Sequence, residues 1–139
     1  ALYVTLYSPL QMAADLPEIY EKRMDVFQFI KDVPVDWQDT RVLNAEVGDY
    51  VSIARRDKFS QNWFIGSITD EKARKFEFKL DFLDEGAVYE ASLYEDGENA
   101  HWQNNPYSVK ISKRKIKKGD VLTVNLAEGG GTAISLIKQ

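Results

Sequence analysis

The 139 residues carry 18 Lys and Arg against 22 Asp and Glu, a net charge of -4 with a pI near 5.1, which excludes a general phosphate-backbone binder because such proteins gather positive charge. A hydrophobic fraction of 44% with 12% aromatic residues excludes a disordered chain, and a chain of this length buries roughly 70% of its unfolded surface, so one core needs no staples. Cysteine is absent, which excludes a disulfide framework and a Cys-ligated metal while leaving periplasm and cytosol both open.

The chain opens without an initiator Met on ALYVTLY, whose content suits a strand while Leu2/Leu6 and Tyr3/Tyr7 also fit i,i+4 on a helix. The segment has no basic leader, and Asp15, Glu18 and Glu21 follow soon after, so it does not read as a signal peptide. No run approaches the roughly 20 apolar residues of a membrane span. Ser8-Pro9 resembles an N-cap and first helical position, predicting a helix over LQMAADL that Pro17 ends or renews. Glu18 to Lys31 also reads as helical, with Ile19, Tyr20, Val26, Phe27, Phe29 and Ile30 forming a broad apolar face.

From about Thr40 onward the apolar positions recur at period two between turn residues, predicting strands. The clearest run is Arg74 to Leu83, where Phe76, Phe78, Leu80 and Phe82 alternate with Glu77, Lys79 and Asp81. Tyr89, Ala91 and Leu93 repeat the pattern; Val51 with Ile53, Leu122 with Val124 and Leu126, and Ile134 with Leu136 are shorter versions. Turn signals at Gly48-Asp49, Glu85-Gly86, Asp96-Gly97, Asn105-Pro106, Gly119-Asp120 and Gly129-Gly130-Gly131 separate the runs. The count is about eight, which predicts a mainly β fold, an antiparallel β-sandwich with an N-terminal helical segment.

The chemistry-bearing residues are few. His101 is the lone histidine, in a polar stretch without a nucleophile beside it, so it reads as a loop histidine rather than a catalytic one. The carboxylates Asp81, Asp84, Glu85, Glu95, Asp96 and Glu98 lie on wet strand faces and in turns, where solvated charge is the default over paired acid and base. The turn Glu95 to Asn99 lacks the ligand alternation of a calcium loop. Gly129-Gly130-Gly131 has no Lys-Ser/Thr after it and leads into a strand, so it reads as an inter-strand loop and not a phosphate loop. The run Lys113, Arg114, Lys115, Lys117 and Lys118 reads as the solubilising charge of an exposed or edge strand. Of three tryptophans, Trp63 sits in a strand and belongs to the core, whereas Trp37 and Trp102 lie in polar surroundings and are candidates for sugar stacking or a domain interface.

SPLQMAADLPEIY, FQFIKDVPVDWQDTRVLNAEVGDYVSIARR, NWFIGSITDEKARKFEFKLDFL, YEASLYEDG and LAEGGGTAISL occur in that order, and with them essentially the whole chain resembles the C-terminal part of glycoside hydrolase family 97, the α-glucosidases and α-galactosidases of Bacteroidetes. The resemblance implies a parent with an N-terminal β-sandwich, a central (β/α)8 barrel and a C-terminal antiparallel β-domain. Residues 1–33 would then be the end of the barrel with its connecting helices, and 34–139 the C-terminal sandwich. It implies that the catalytic carboxylates and the glutamates holding an activating calcium lie upstream, so no catalytic, cofactor or metal residue transfers to this chain. It implies a periplasmic enzyme as parent, a non-catalytic role for this piece, and the barrel as its partner. Two roles follow as expectations: a structural domain packed on the barrel, or a carbohydrate-binding module holding oligosaccharide. Nucleic acid and membrane are not expected partners. Cut from its body, the chain should expose Leu2, Leu6, Leu10, Met12 and Leu16 and self-associate.

Overall fold

A computed structural model describes residues 1–139. Three short helices lead: α1 (Leu2–Thr5), α2 (Pro17–Glu21) and α3 (Met24–Asp32). Eight strands follow: β1 (Trp37–Glu46), β2 (Tyr50–Asp57), β3 (Trp63–Thr69), β4 (Arg74–Lys79), β5 (Val88–Asp96), β6 (Val109–Lys117), β7 (Val121–Leu126) and β8 (Gly131–Lys138). The expected antiparallel sandwich of eight strands with a helical front is the observed fold. Its layers are unequal: a six-stranded sheet in the order β1-β2-β3-β8-β5-β6 faces a two-stranded sheet, β4-β7, with every neighbouring pair antiparallel.

Alternation along the strands builds the core between the sheets. Trp63 and Ile65 of β3, Tyr89, Ala91 and Leu93 of β5, and Ile134 and Leu136 of β8 meet Phe78 of β4 and Leu122, Val124 and Leu126 of β7. Each side chain fully buried in this way contributes about 1.5–3 kcal/mol. Trp63 is in this core, as its strand position implies.

The long run from Arg74 ends sooner than its alternation predicts. Pairing with β7 stops at Lys79, and a turn closed by Leu83 N–H donating to the Leu80 carbonyl (3.4 Å) carries Leu80 and Leu83 into the core, with Phe82 against Trp63 at 4.6 Å. On β2 the facing is the reverse of what Val51 and Ile53 suggest. Ser52 and Ala54 are the fully buried residues, while Val51 and Ile53 are half-buried on the opposite face, in register with Ile68 and Gly66. The reason is that this strand is covered on both sides, so apolar alternation does not single out the sandwich face.

The cover on the second face is the N-terminal segment, and there the sequence reading needs two corrections. No helix forms over Leu10 to Leu16: the Ser8 hydroxyl donates to the Leu10 carbonyl (2.7 Å) and accepts the Leu10 N–H (3.3 Å), a local turn that competes with helix, and Leu16 is extended ahead of Pro17. A stretch of seven residues between two prolines is also too short to nucleate on its own. The helix over Glu18 to Lys31 is broken at Lys22 and Arg23, where Arg23 leaves helical dihedrals and pairs with Asp25 at 3.1 Å. Of its broad apolar face only Phe29 is buried.

The basic run lies along β6, an outer strand of the six-stranded sheet, exposed except for Ser112 and Ile116. Cation-rich edges of this kind resist pairing with another chain.

Candidate docking surface

The N-terminal segment is joined to the sheet by a second, smaller core. Val4 of α1, Phe29 of α3 and Val33 pack with Phe64 of β3 and Ala133 of β8, with Tyr3, Trp37, Tyr94 and Ile137 at the margin. Phe29 meets Phe64 and Tyr94 edge-on at 6.1 and 5.4 Å, the arrangement aromatic quadrupoles favour.

Glycine makes the close approach possible. A Cβ on Gly66 would lie 2.6 Å from the Ala1 carbonyl oxygen and 2.8 Å from Val4 Cβ, so only the bare backbone of β3 admits α1. Next to it, Arg55 of β2 reaches up from the sheet. Its Nε donates to the Val4 carbonyl at 2.6 Å, one guanidinium N–H goes to Thr40 Oγ1 at 2.9 Å, and the group lies over the rings of Tyr7 and Trp37 at 5.5 and 6.0 Å. Arg55 is buried without a carboxylate partner, and that burial depresses its pKa. Aromatic faces and two acceptors take the place of an ion pair.

Beyond α1 the chain turns away from the sheet. The loop from Leu6 to Leu16 is tied by a few hydrogen bonds: Tyr3 OH donates to the Met12 carbonyl (2.7 Å), Gln11 Nε2 to the Leu6 carbonyl (3.1 Å), and the Asp15 N–H to Tyr20 OH (3.0 Å). Its apolar side chains have no partner. Leu2, Leu6, Leu10, Met12 and Leu16 are all exposed, as expected, Leu10 at 72% and Met12 at 77%. Scattered single leucines are ordinary on a surface; here several large apolar side chains are exposed along one short segment.

The other residues singled out from sequence divide cleanly. Trp37 belongs to the docking seam: its ring meets Phe64 edge-on at 5.9 Å beneath Arg55. Trp102 stands in the β5–β6 connection at the far edge of the sheet and is 58% exposed, so the two tryptophans are not brought together. His101 lies beside Trp102 and pairs through Nε2 with Glu128 at 3.2 Å. Asp84 accepts from Lys138 at 2.9 Å and from Tyr89 OH at 3.1 Å, contacts that hold its carboxyl below the usual range, and Glu85 pairs with Lys118. Asp96 accepts the N–H groups of Ala127 (2.8 Å) and Gly131 (3.0 Å), which folds the triple-glycine loop onto the acidic turn. No three His, Asp or Glu side chains converge as a metal site would require. Sequence reasoning did not single out Arg55 or Gly66. The signal was present in a cation directly after the apolar Ile53-Ala54 of a strand and in a glycine inside the strand-like NWFIGSI.

The fold is an antiparallel β-sandwich with an exposed apolar N-terminal flank. Residues 36–137 match the family profile described as "Glycosyl-hydrolase 97 C-terminal, oligomerisation", and the chain belongs to that family. It is 38% identical over 136 residues to a retaining alpha-galactosidase of Bacteroides thetaiotaomicron, covering 98% of this chain and 20% of the relative. It superposes with a TM-score of 0.94, at 52% identity, on glycoside hydrolase family 97 enzyme structures from Pseudoalteromonas sp. strain K8 solved with panose and with acarbose, covering 99% of this chain and 22% of each. A beta-arabinopyranosidase at 23% identity and a TM-score of 0.73 shares the fold. The chain thus spans about one fifth of the length of the relatives it matches.

Proposed function

We propose that this domain is the non-catalytic C-terminal sandwich of a family 97 α-glucosidase or α-galactosidase, and that it works by packing against and stabilising the parent's catalytic barrel. In this reading residues 1–33 are the end of the barrel, tied down by Arg55 and by the close approach at Gly66. The parent is a periplasmic enzyme with its catalytic carboxylates and its calcium upstream. The observation that carries the reading is the run Leu2, Leu6, Leu10, Met12 and Leu16, exposed on an N-terminal segment that is anchored to the sheet through Val4, Phe29 and Val33. The segment has apolar surface left over, and burying it is worth about 25 cal/mol per Å². The family description adds oligomerisation, and the same face supplies apolar surface for it when the barrel is missing.

The test is made in the full-length parent. Replacing Leu10 and Met12 with Glu should lower the melting temperature of the barrel and reduce glycosidase activity at elevated temperature, while leaving the isolated sandwich as stable as before. Unchanged stability and activity of the full-length variant would overturn the reading.

A further inference from the structure

Trp102 is the one tryptophan that no core absorbs, and the chain goes to some length to hold it in place. Its loop is pinned by paired backbone hydrogen bonds between His101 and Asn105 (3.3 and 3.0 Å), by Asn105 Nδ2 donating to the Asn99 carbonyl (3.1 Å), and by Ser108 Oγ donating to the Glu98 carbonyl (3.0 Å). His101 Nδ1 accepts the N–H groups of Gln103 (3.1 Å) and Asn104 (3.3 Å), which leaves the proton on Nε2, facing Glu128 at 3.2 Å. The imidazole lies nearly parallel to the indole, with ring centroids 5.9 Å apart and 21° between planes. Gly129, at φ +63°, brings the β7–β8 turn against the indole's inner edge; a Cβ there would come within 2.9 Å of Trp102 Cβ. One edge of the indole is therefore seated on bare backbone, and more than half of the residue faces solvent above a concavity of about 230 Å³.

We propose that this is a surface site for a single pyranose unit of an α-linked saccharide, stacked on Trp102 and hydrogen-bonded by the Glu128 carboxylate, which His101 holds in place. A sugar ring offers an apolar face to an aromatic plane and hydroxyls at its rim, each able to donate and accept. The site matches both features: an amphipathic aromatic held rigid, and beside it a half-exposed carboxylate, oriented by the His101 Nε2–H, with acceptor capacity left for sugar hydroxyls. Preorganisation matters here because an exposed loop that must order itself on binding gives up affinity. The mixed lining of the concavity, the Trp102 indole beside the Asp96, Asn105 and Glu128 side chains, favours a saccharide over a protein partner, whose central contacts call for a broader apolar patch. The proposal does not depend on how residues 1–33 dock.

The experiment is an amide and indole correlation-NMR titration of the 139-residue chain with panose and, separately, melibiose. Saturable shifts of the Trp102 indole N–H and of the His101, Asn105 and Gly129 amides, with millimolar affinity for at least one sugar, are expected. Trp102→Ala should abolish them, and Glu128→Gln should weaken binding by about tenfold while leaving the spectrum of the sandwich core intact. Trp102→Phe, which keeps an aromatic anchor for the loop, should retain weakened binding and guards against a loop that simply unfolds. The absence of saturable shifts into the tens of millimolar, or shifts confined to other surfaces, would overturn the proposal. So would self-association of the chain that Trp102→Ala abolishes, since the loop would then be a protein contact.

Discussion

The Arg55 guanidinium donates to the backbone carbonyl of Val4 across 51 residues of sequence, at 2.6 Å and out of solvent. A helix of one turn has too few hydrogen bonds of its own to persist, so the position of α1 is set by this contact and by its seat over Gly66. Arg55→Ala should therefore cost about 2–4 kcal/mol of unfolding free energy, through the orphaned carbonyl and the loss of two aromatic contacts. Arg55→Lys should recover less than half, because a single ammonium cannot reach Val4 and Thr40 together in the guanidinium geometry. Urea denaturation gives the magnitude. Hydrogen exchange at the Val4 and Thr5 amides gives the location, and unchanged protection there in the Ala variant would refute the clamp.

Gly66 offers an independent test of the same seam. A methyl group at this position meets backbone on one side and Val4 on the other, neither of which is the free end of a flexible side chain. Gly66→Ala should displace α1 and destabilise the domain by about 1–3 kcal/mol, with increased binding of a hydrophobic dye as Val4 and Phe64 become accessible. A variant that melts with the wild type and binds no more dye would mean that the N-terminal turn is not closely seated.

How much of this was legible beforehand follows from what each signal measures. The outer layer was readable because Phe78 stands between exposed Glu77 and Lys79 and Val124 between Thr123 and exposed Asn125, on a sheet wet on one side, whereas β5 and β8 were readable from their apolar runs and bounding turns. β2 was misread because both its faces are covered, and alternation cannot report which covering layer is the sandwich partner. The Leu10 to Leu16 piece has helical composition, yet a serine turn before it and a proline after it prevail over propensity. For the candidate sites, composition picked out Trp37 and Trp102 alike. Their separation into a seam residue and an exposed one depends on the pairing of β1 with β2, which brings Arg55 and Phe64 to Trp37, and on the Gly129 turn that supports Trp102.

The last test concerns a flaw inside the sandwich. Ser52, Ser67 and Thr132 follow one another across β2, β3 and β8 on the face that looks into the core. The two serine hydroxyls bond to each other at 2.5 Å, which leaves the Thr132 hydroxyl 1% exposed and without a partner. A buried hydroxyl in this condition costs about 1–3 kcal/mol, so replacing it by a methyl group of the same shape removes a penalty instead of a contact. Thr132→Val should stabilise the domain by about 1 kcal/mol and raise its melting temperature by about 3–5 °C, while Thr132→Ala should destabilise it by leaving a cavity in place of the Cγ2 methyl group. If Val gives no gain, the hydroxyl is bonded after all to a water held between the sheets, and the polar row across the three strands is a satisfied network.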